Sequence, residues 1–204
     1  MTRWIAVLLA VVGVSGSAEV LAQDAAPGPS TVVITIIPGG ATFFTEAEDN
    51  AQAPSFGNYD LGAAVAVTFN RYLAVEGEFS GALGISQTLQ LGTVELDERS
   101  PHLLNYSGNL VVSAPTGTSV VPYVTGGIGG LTLFERRPLT VNQNETFFTS
   151  NVGGGVNWYA GRWGLRGDYR FIAVQSKDDA PLFFGRENRY GHRVYGGVLL
   201  NIGR

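Results

Sequence analysis

The stretch LAVEGEFSGALGIS, Leu73–Ser86, decides the fold. Leu73, Val75, Phe79, Leu83 and Ile85 fall on one parity, with Gly77 and Gly81 between them. Ala74, Glu76, Glu78, Ser80, Ala82 and Gly84 fall on the other. A period of two is a strand with one oily face. Two glutamates deep in such a strand cannot enter a dry sandwich core without partners. A membrane β-barrel reverses the arrangement: its oily face meets lipid and its polar face lines the lumen.

The same rhythm recurs outward from this segment, giving eight strand candidates. They are Thr31–Phe44, Tyr59–Asn70, Tyr72–Ser86, Leu103–Ser113, Val120–Phe134, Phe147–Tyr159, Arg162–Gln175 and Tyr190–Ile202. Pro38-Gly39-Gly40 interrupts the first and predicts a bulge or bend. Gly126-Gly127 and Gly129-Gly130 sit inside the fifth and leave its facing ambiguous. Asn70-Arg71, Ala114–Thr118 and Ala160-Gly161 are short hairpin turns. Thr45–Asn58, Gln87–His102, Glu135–Thr146 and Ser176–Arg189 are long and polar. Long and short connections alternate strictly, so the long ones share one end and the short ones share the other with both termini. This is the plan of an all-β, eight-stranded, antiparallel up-and-down transmembrane β-barrel. Greek-key crossovers would not produce it.

Ahead of the first strand, an apolar run from Trp4 to Val14 and the small-x-small triplet Val20-Leu21-Ala22 predict a signal peptide over residues 1–22. That run is shorter than the roughly 20 apolar residues a spanning helix needs. Residues 23–30 read as a flexible lead-in and 31–204 as the barrel domain. The chain has no cysteine, so closure of the barrel must supply the stability that disulfides give many exported proteins. Net charge is −4 and Lys177 is the only lysine, which excludes nucleic acid as a partner.

Aromatic residues gather at two depths. Phe69, Tyr72, Tyr123, Trp158 and Trp163 lie near the short-turn ends, and Tyr59, Tyr106 and Tyr190 near the long-loop ends. Lipid–water interfaces favour such belts. With them in place the chain resembles the small outer-membrane β-barrel family of the OmpA/OmpX type. The resemblance rests on Val75–Phe79, Val121–Gly129, Gly164–Phe171 and Gly196–Gly203, which look like that family's third, fifth, seventh and last strands. It implies a bacterial outer-membrane location, lipid as a partner, assembly by the barrel-assembly machinery and a monomer. The family usually closes on an aromatic residue, whereas this chain closes on Leu200-Asn201-Ile202-Gly203-Arg204.

The inward parity carries Glu76 and Glu78 on one strand, Arg166, Asp168 and Arg170 on another, and Arg193 on the last. An eight-stranded barrel is just wide enough for side chains to fill, so these charges can meet across the lumen. Pairing is close to obligatory for them. Such a cluster either plugs the lumen or gates a narrow ion path. Enzyme chemistry is not expected. A Ser-His-acid site needs a histidine base beside its nucleophile, and His102 and His192 have no such neighbour in their strands. No cofactor or metal is expected either, since zinc ligands come clustered and these histidines are isolated. Three roles follow for the barrel: a structural or surface-interaction protein, a narrow ion or small-solute pore, or a soluble lipocalin-like barrel that binds an apolar ligand. The last requires the two faces to be inverted.

Overall fold

In the computed structural model the described residues are 27–28, 31–45, 56–91, 94–134, 144–177 and 188–202, with backbone alone over 87–91 and 94–99. The predicted signal segment and most of the lead-in and long loops lie outside these residues. Among the described residues ten strands occur in order: β1 (Val32–Phe44), β2 (Phe56–Thr68), β3 (Leu73–Gly84), β4 (Ser86–Leu91), β5 (Val94–Arg99), β6 (His102–Ser113), β7 (Val120–Phe134), β8 (Asn144–Ala160), β9 (Trp163–Val174) and β10 (Arg189–Ile202). Eight of them close a barrel in the order β1-β10-β9-β8-β7-β6-β3-β2. Every ladder is antiparallel, and Val32 opposite Ile202 completes the ring.

Each short connection has a local cause. At β2–β3 the side-chain carbonyl of Asn70 accepts from the amides of Tyr72 and Leu73 at 2.8 and 2.9 Å, an Asx turn. The β6–β7 and β8–β9 turns use Gly117 and Gly161 at φ of 72° and 68°, where a Cβ is disfavoured. At the opposite end β2 and β8 begin earlier than the pattern suggested. Phe56 pairs with Phe44, and Asn144 with Phe134. The connection Gln87–His102, expected to be a loop, instead carries the β4–β5 hairpin with Ser86 opposite Arg99.

β1 shows why parity must be read strand by strand. Its register shifts between Ile36 and Gly40. Val33, Thr35 and Ile37 are buried before the bulge, and Thr42 and Phe44 after it. One extra residue has exchanged the two faces. Tyr59 covers the bulge from outside and donates to the Pro38 carbonyl at 3.0 Å.

The outward parity is mostly apolar, with Thr146 and Ser150 as polar exceptions on β8. Val65, Val75, Phe79, Leu110, Val124, Ile128, Val152, Leu165 and Val198 are all exposed. The inward parity holds Asp60, Glu76, Glu78, Arg166, Asp168, Arg170 and Arg193, all buried. This is the reverse of a soluble barrel and removes the lipocalin-like reading, which needs polar residues outside. One sequence expectation is corrected: Tyr123 is not an interface aromatic. It is 4% exposed and points into the lumen. It shares the parity of Val121 and Thr125, opposite to Val120, Val124 and Ile128. The glycine pairs that follow it conceal that parity.

Candidate functional site

The lumen is built in tiers. At the short-turn end Val33, Val121, Tyr159 and Leu199 form an apolar cluster, with Ala66 packed against it. At the long-loop end Phe44, Phe56, Leu103, Leu131, Leu133 and Phe147 belong to a larger one. Between them lies the charged layer.

Its core is Arg170. Its Nη2 lies 2.8 Å from Glu76 Oε1 and 3.1 Å from Glu78 Oε2, and its Nε lies 3.0 Å from Asp168 Oδ1. Arg166 pairs with Glu76 through Nη1 and with Asp168 Oδ2 through Nη2 at 3.1 Å. Arg193 pairs with Glu78 and donates to Ser80 Oγ at 2.9 Å. Three guanidiniums thus face three carboxylates. The carboxylates Glu76 and Glu78 come from β3, and Arg166, Asp168 and Arg170 from β9. In the barrel order three strands separate β3 from β9 in either direction, so the two stand on opposite walls. The charges meet only because the lumen is narrow.

Tyrosines fill the gaps. Tyr123 donates to Asp168 and accepts from Arg166 Nε at 2.7 Å. Its ring lies 4.6 Å below the Arg166 guanidinium. Tyr195 donates to Glu78 Oε2 at 3.3 Å, and its ring lies 5.1 Å from the Arg193 guanidinium. Cation–π contacts of this kind gain strength where water is excluded. Asp60, on the inward parity of β2, accepts from Thr42 on β1. An amide chain runs beside the ions: Asn151 donates to Asn109 at 3.0 Å, and Asn109 to Ser107 at 3.1 Å.

The sequence placed Glu76, Glu78, Arg166, Asp168, Arg170 and Arg193 on inward parities, and the structure brings these six into one network. Tyr123, Tyr195 and Ser80 are partners that charge alone did not single out. Of the interface aromatics, Phe69, Trp158 and Trp163 are exposed toward the short turns, and Tyr59, Tyr106 and Tyr190 toward the long connections. The histidines serve local contacts. His102 Nδ1 accepts from the Gly84 amide at 3.2 Å, and His192 Nδ1 lies 2.8 Å from the Tyr169 hydroxyl. Among the described residues there is no cluster of groups that could hold a metal ion.

Free space in the lumen is small. A cavity of about 40 Å³ at the short-turn end reaches Glu76, Arg166, Asn157 and Tyr159, room for a little water. Farther in, the gap between Asn105, Asn151, Arg170 and Arg193 leaves about 0 Å³ for a water.

A closed antiparallel barrel with an apolar outside and a charged inside matches one family profile, described as the outer membrane protein beta-barrel domain, over residues 6–198. The chain belongs to that family. Among curated proteins no sequence matches it. Among solved structures, Neisserial surface protein A (NspA) is similar at 11% identity and a TM-score of 0.61, covering 84% of this chain and 97% of that one. The N-terminal β-barrel domain of OprF from Pseudomonas aeruginosa is similar at 11% identity and a TM-score of 0.52, covering 86% and 100%. Ail of Yersinia pestis, solved in complex with the heparin analogue sucrose octasulfate, is similar at 12% identity and a TM-score of 0.53, covering 85% and 99%. At these identities the likeness carries the fold alone. Family membership makes this an outer-membrane β-barrel protein, with its apolar band in the bilayer.

Proposed function

We propose that the protein is a closed, monomeric barrel that contributes to the integrity of the bacterial outer membrane and displays its long connections outside. In this reading residues 1–22 are a cleaved export signal, and the barrel-assembly machinery inserts the rest. The observation that carries it is the layer of three guanidiniums on three carboxylates spanning the lumen from β3 to β9 and β10, with an apolar tier on either side. A buried ion pair is stable only when its geometry is good and its remaining donors are met. Here every carboxylate of the layer is paired, while Arg170 Nη1 and Arg193 Nε find no hydrogen-bond partner, so opening the layer means stranding charges. No catalytic role follows from such a plug, and none is proposed.

Loops on a rigid scaffold are natural contact surfaces. The first long connection carries Glu46, Glu48 and Asp49 and the second Glu95, Asp97 and Glu98, against Arg99 as the one Lys or Arg of those two segments. This acidic composition favours a cationic contact over a polyanion.

Two measurements test the reading. Barrels from a washed outer-membrane fraction are run unboiled and boiled on a denaturing gel, with a mobility shift expected. Purified protein is then placed in a planar bilayer, where silence is expected. Steady single-channel currents that change in Glu76→Gln or Arg166→Ala would replace the plug by a narrow pore. Recovery of the protein in the soluble fraction would overturn the membrane assignment itself.

A further inference from the structure

The outer wall of the barrel is not evenly covered. On β3 and β6, Gly77 lies opposite Gly108, midway along both strands and on the outward parity. A Cβ built at either would meet nothing within 4 Å. Across the ladders this pair continues into Val65 on β2 and Ile128 on β7. The next row toward the long loops is Ala63, Phe79 and Tyr106. These residues line a groove of about 530 Å³ whose floor is bare main chain and whose rims are apolar side chains. Phe79 and Tyr106 wall it on the long-loop side. Tyr106 is held there by leaning over Gly130, where an added Cβ would run into its ring.

We propose that this groove is a seat for one phospholipid acyl chain from the periplasmic leaflet. The groove is continuous with the face that family membership places in the bilayer, so no water is present to fill it. A void in hydrocarbon forfeits the dispersion contacts of its lining. The occupant is therefore apolar, and thin enough to lie between the Phe79–Tyr106 wall and the next row of side chains. The two rings block descent from the long-loop side, which is the outer leaflet. Access is from the short-turn side, where phospholipid chains point toward the midplane. A second copy of the chain fits poorly. A two-fold contact sets the same patch on itself, which would put hollow against hollow while the Val65 and Ile128 rims collide.

The barrel carries its own control. Gly167 lies opposite Gly196 on β9 and β10, and both are open to the outside. This pair is on the far side of the barrel from the β3–β6 seam. Its rows carry Tyr169 and Val194 in place of two adjacent rings.

The test is photolabelling in vesicles with phosphatidylethanolamine that bears a diazirine at the end of one acyl chain. The label is located by peptide mass spectrometry. Labelling concentrated on Val65, Phe79, Tyr106 and Ile128 is expected, with loss of that signal in a Gly77→Leu, Gly108→Leu variant that still shows the heat-dependent mobility shift. Gly167→Leu should leave it intact. If the double leucine variant does not fold, Gly77→Ala with Gly108→Ala adds only methyl groups into open space and should weaken the same signal. Even labelling of both faces overturns the seat. Preferential labelling there by a diazirine-bearing lipid A overturns the leaflet, and intermolecular disulfides formed by Val65→Cys overturn the lipid in favour of a second copy. None of these outcomes depends on whether the lumen conducts.

Discussion

Replacing Arg170 by methionine tests the luminal layer most directly. Its side chain is 1% exposed and contacts Glu76, Glu78 and Asp168 at 2.8, 3.1 and 3.0 Å. Methionine keeps the bulk and removes the charge. Three carboxylates are then left with Arg166 and Arg193, each already committed to a different part of the cluster. Removing one partner of a buried ion pair costs about 3–5 kcal/mol, because the other charge stays behind in a dry site. That is roughly two to three and a half powers of ten in the folding equilibrium. Urea unfolding in lipid vesicles reads it as a fall in midpoint at unchanged slope. Adding Glu78→Gln should then recover about 1–3 kcal/mol, since residues of one network couple strongly. Were Arg170→Met to unfold within about 0.5 kcal/mol of the parent, as an ordinary surface substitution does, the layer would not be a dry ionic plug.

Val152 is 60% exposed on the outer face of β8. Val152→Arg should destabilise the barrel by about 2–4 kcal/mol in vesicles if that face meets the bilayer midplane, and a neutral result in the same urea assay would contradict the assigned facing. Gly127 has no room: a Cβ there would meet the Gly108 carbonyl and Asn109, whose Cα would be 2.8 Å away. Gly127→Val should abolish the heat-modifiable form on gels, whereas Gly77→Ala, open to the outside, should gain about 0.5–1 kcal/mol from the preference for a Cβ in a strand.

Much of this architecture is written in alternation. Leu73–Ser86 gave the facing of β3 without ambiguity because its polar parity carries two carboxylates and its apolar parity none. β7 did not, because Gly126, Gly127, Gly129 and Gly130 offer no side chain to read, and Tyr123 went to the wrong side. Counting from Val120, Val124 and Ile128 places it correctly. The apolar tiers were hidden for a different reason. Phe44, Leu131, Leu133 and Phe147 are inward and apolar, against the polar-inside rule, because the lumen near its mouth is packed as a core. Asp60 was on a visible inward parity, but its partner Thr42 reaches it only after the β1 bulge exchanges faces. The β4–β5 hairpin did have a signal: Leu89, Leu91, Val94 and Leu96 alternate around Gly92-Thr93, obscured by Glu95 among them and the charged run Asp97-Glu98-Arg99 just after.

The distance in sequence between the luminal partners has a kinetic consequence. Glu76 and Arg166 are 90 residues apart, and Glu78 and Arg193 are 115. They belong to strands that never pair, so no hairpin, half-sheet or open ribbon can bring them together. Until the ring closes Glu76 and Glu78 have only water or lipid headgroups for company, whereas Asp168 already has Arg166 and Arg170 on its own strand. The bridges from Glu76 and Glu78 to Arg166, Arg170 and Arg193 therefore form after the ring closes, and a transition state that precedes closure lacks them. Contacts of that kind slow unfolding without hastening folding. The ionic layer acts as a latch: it sets how long an inserted barrel lasts, and leaves the speed of insertion to the outer face.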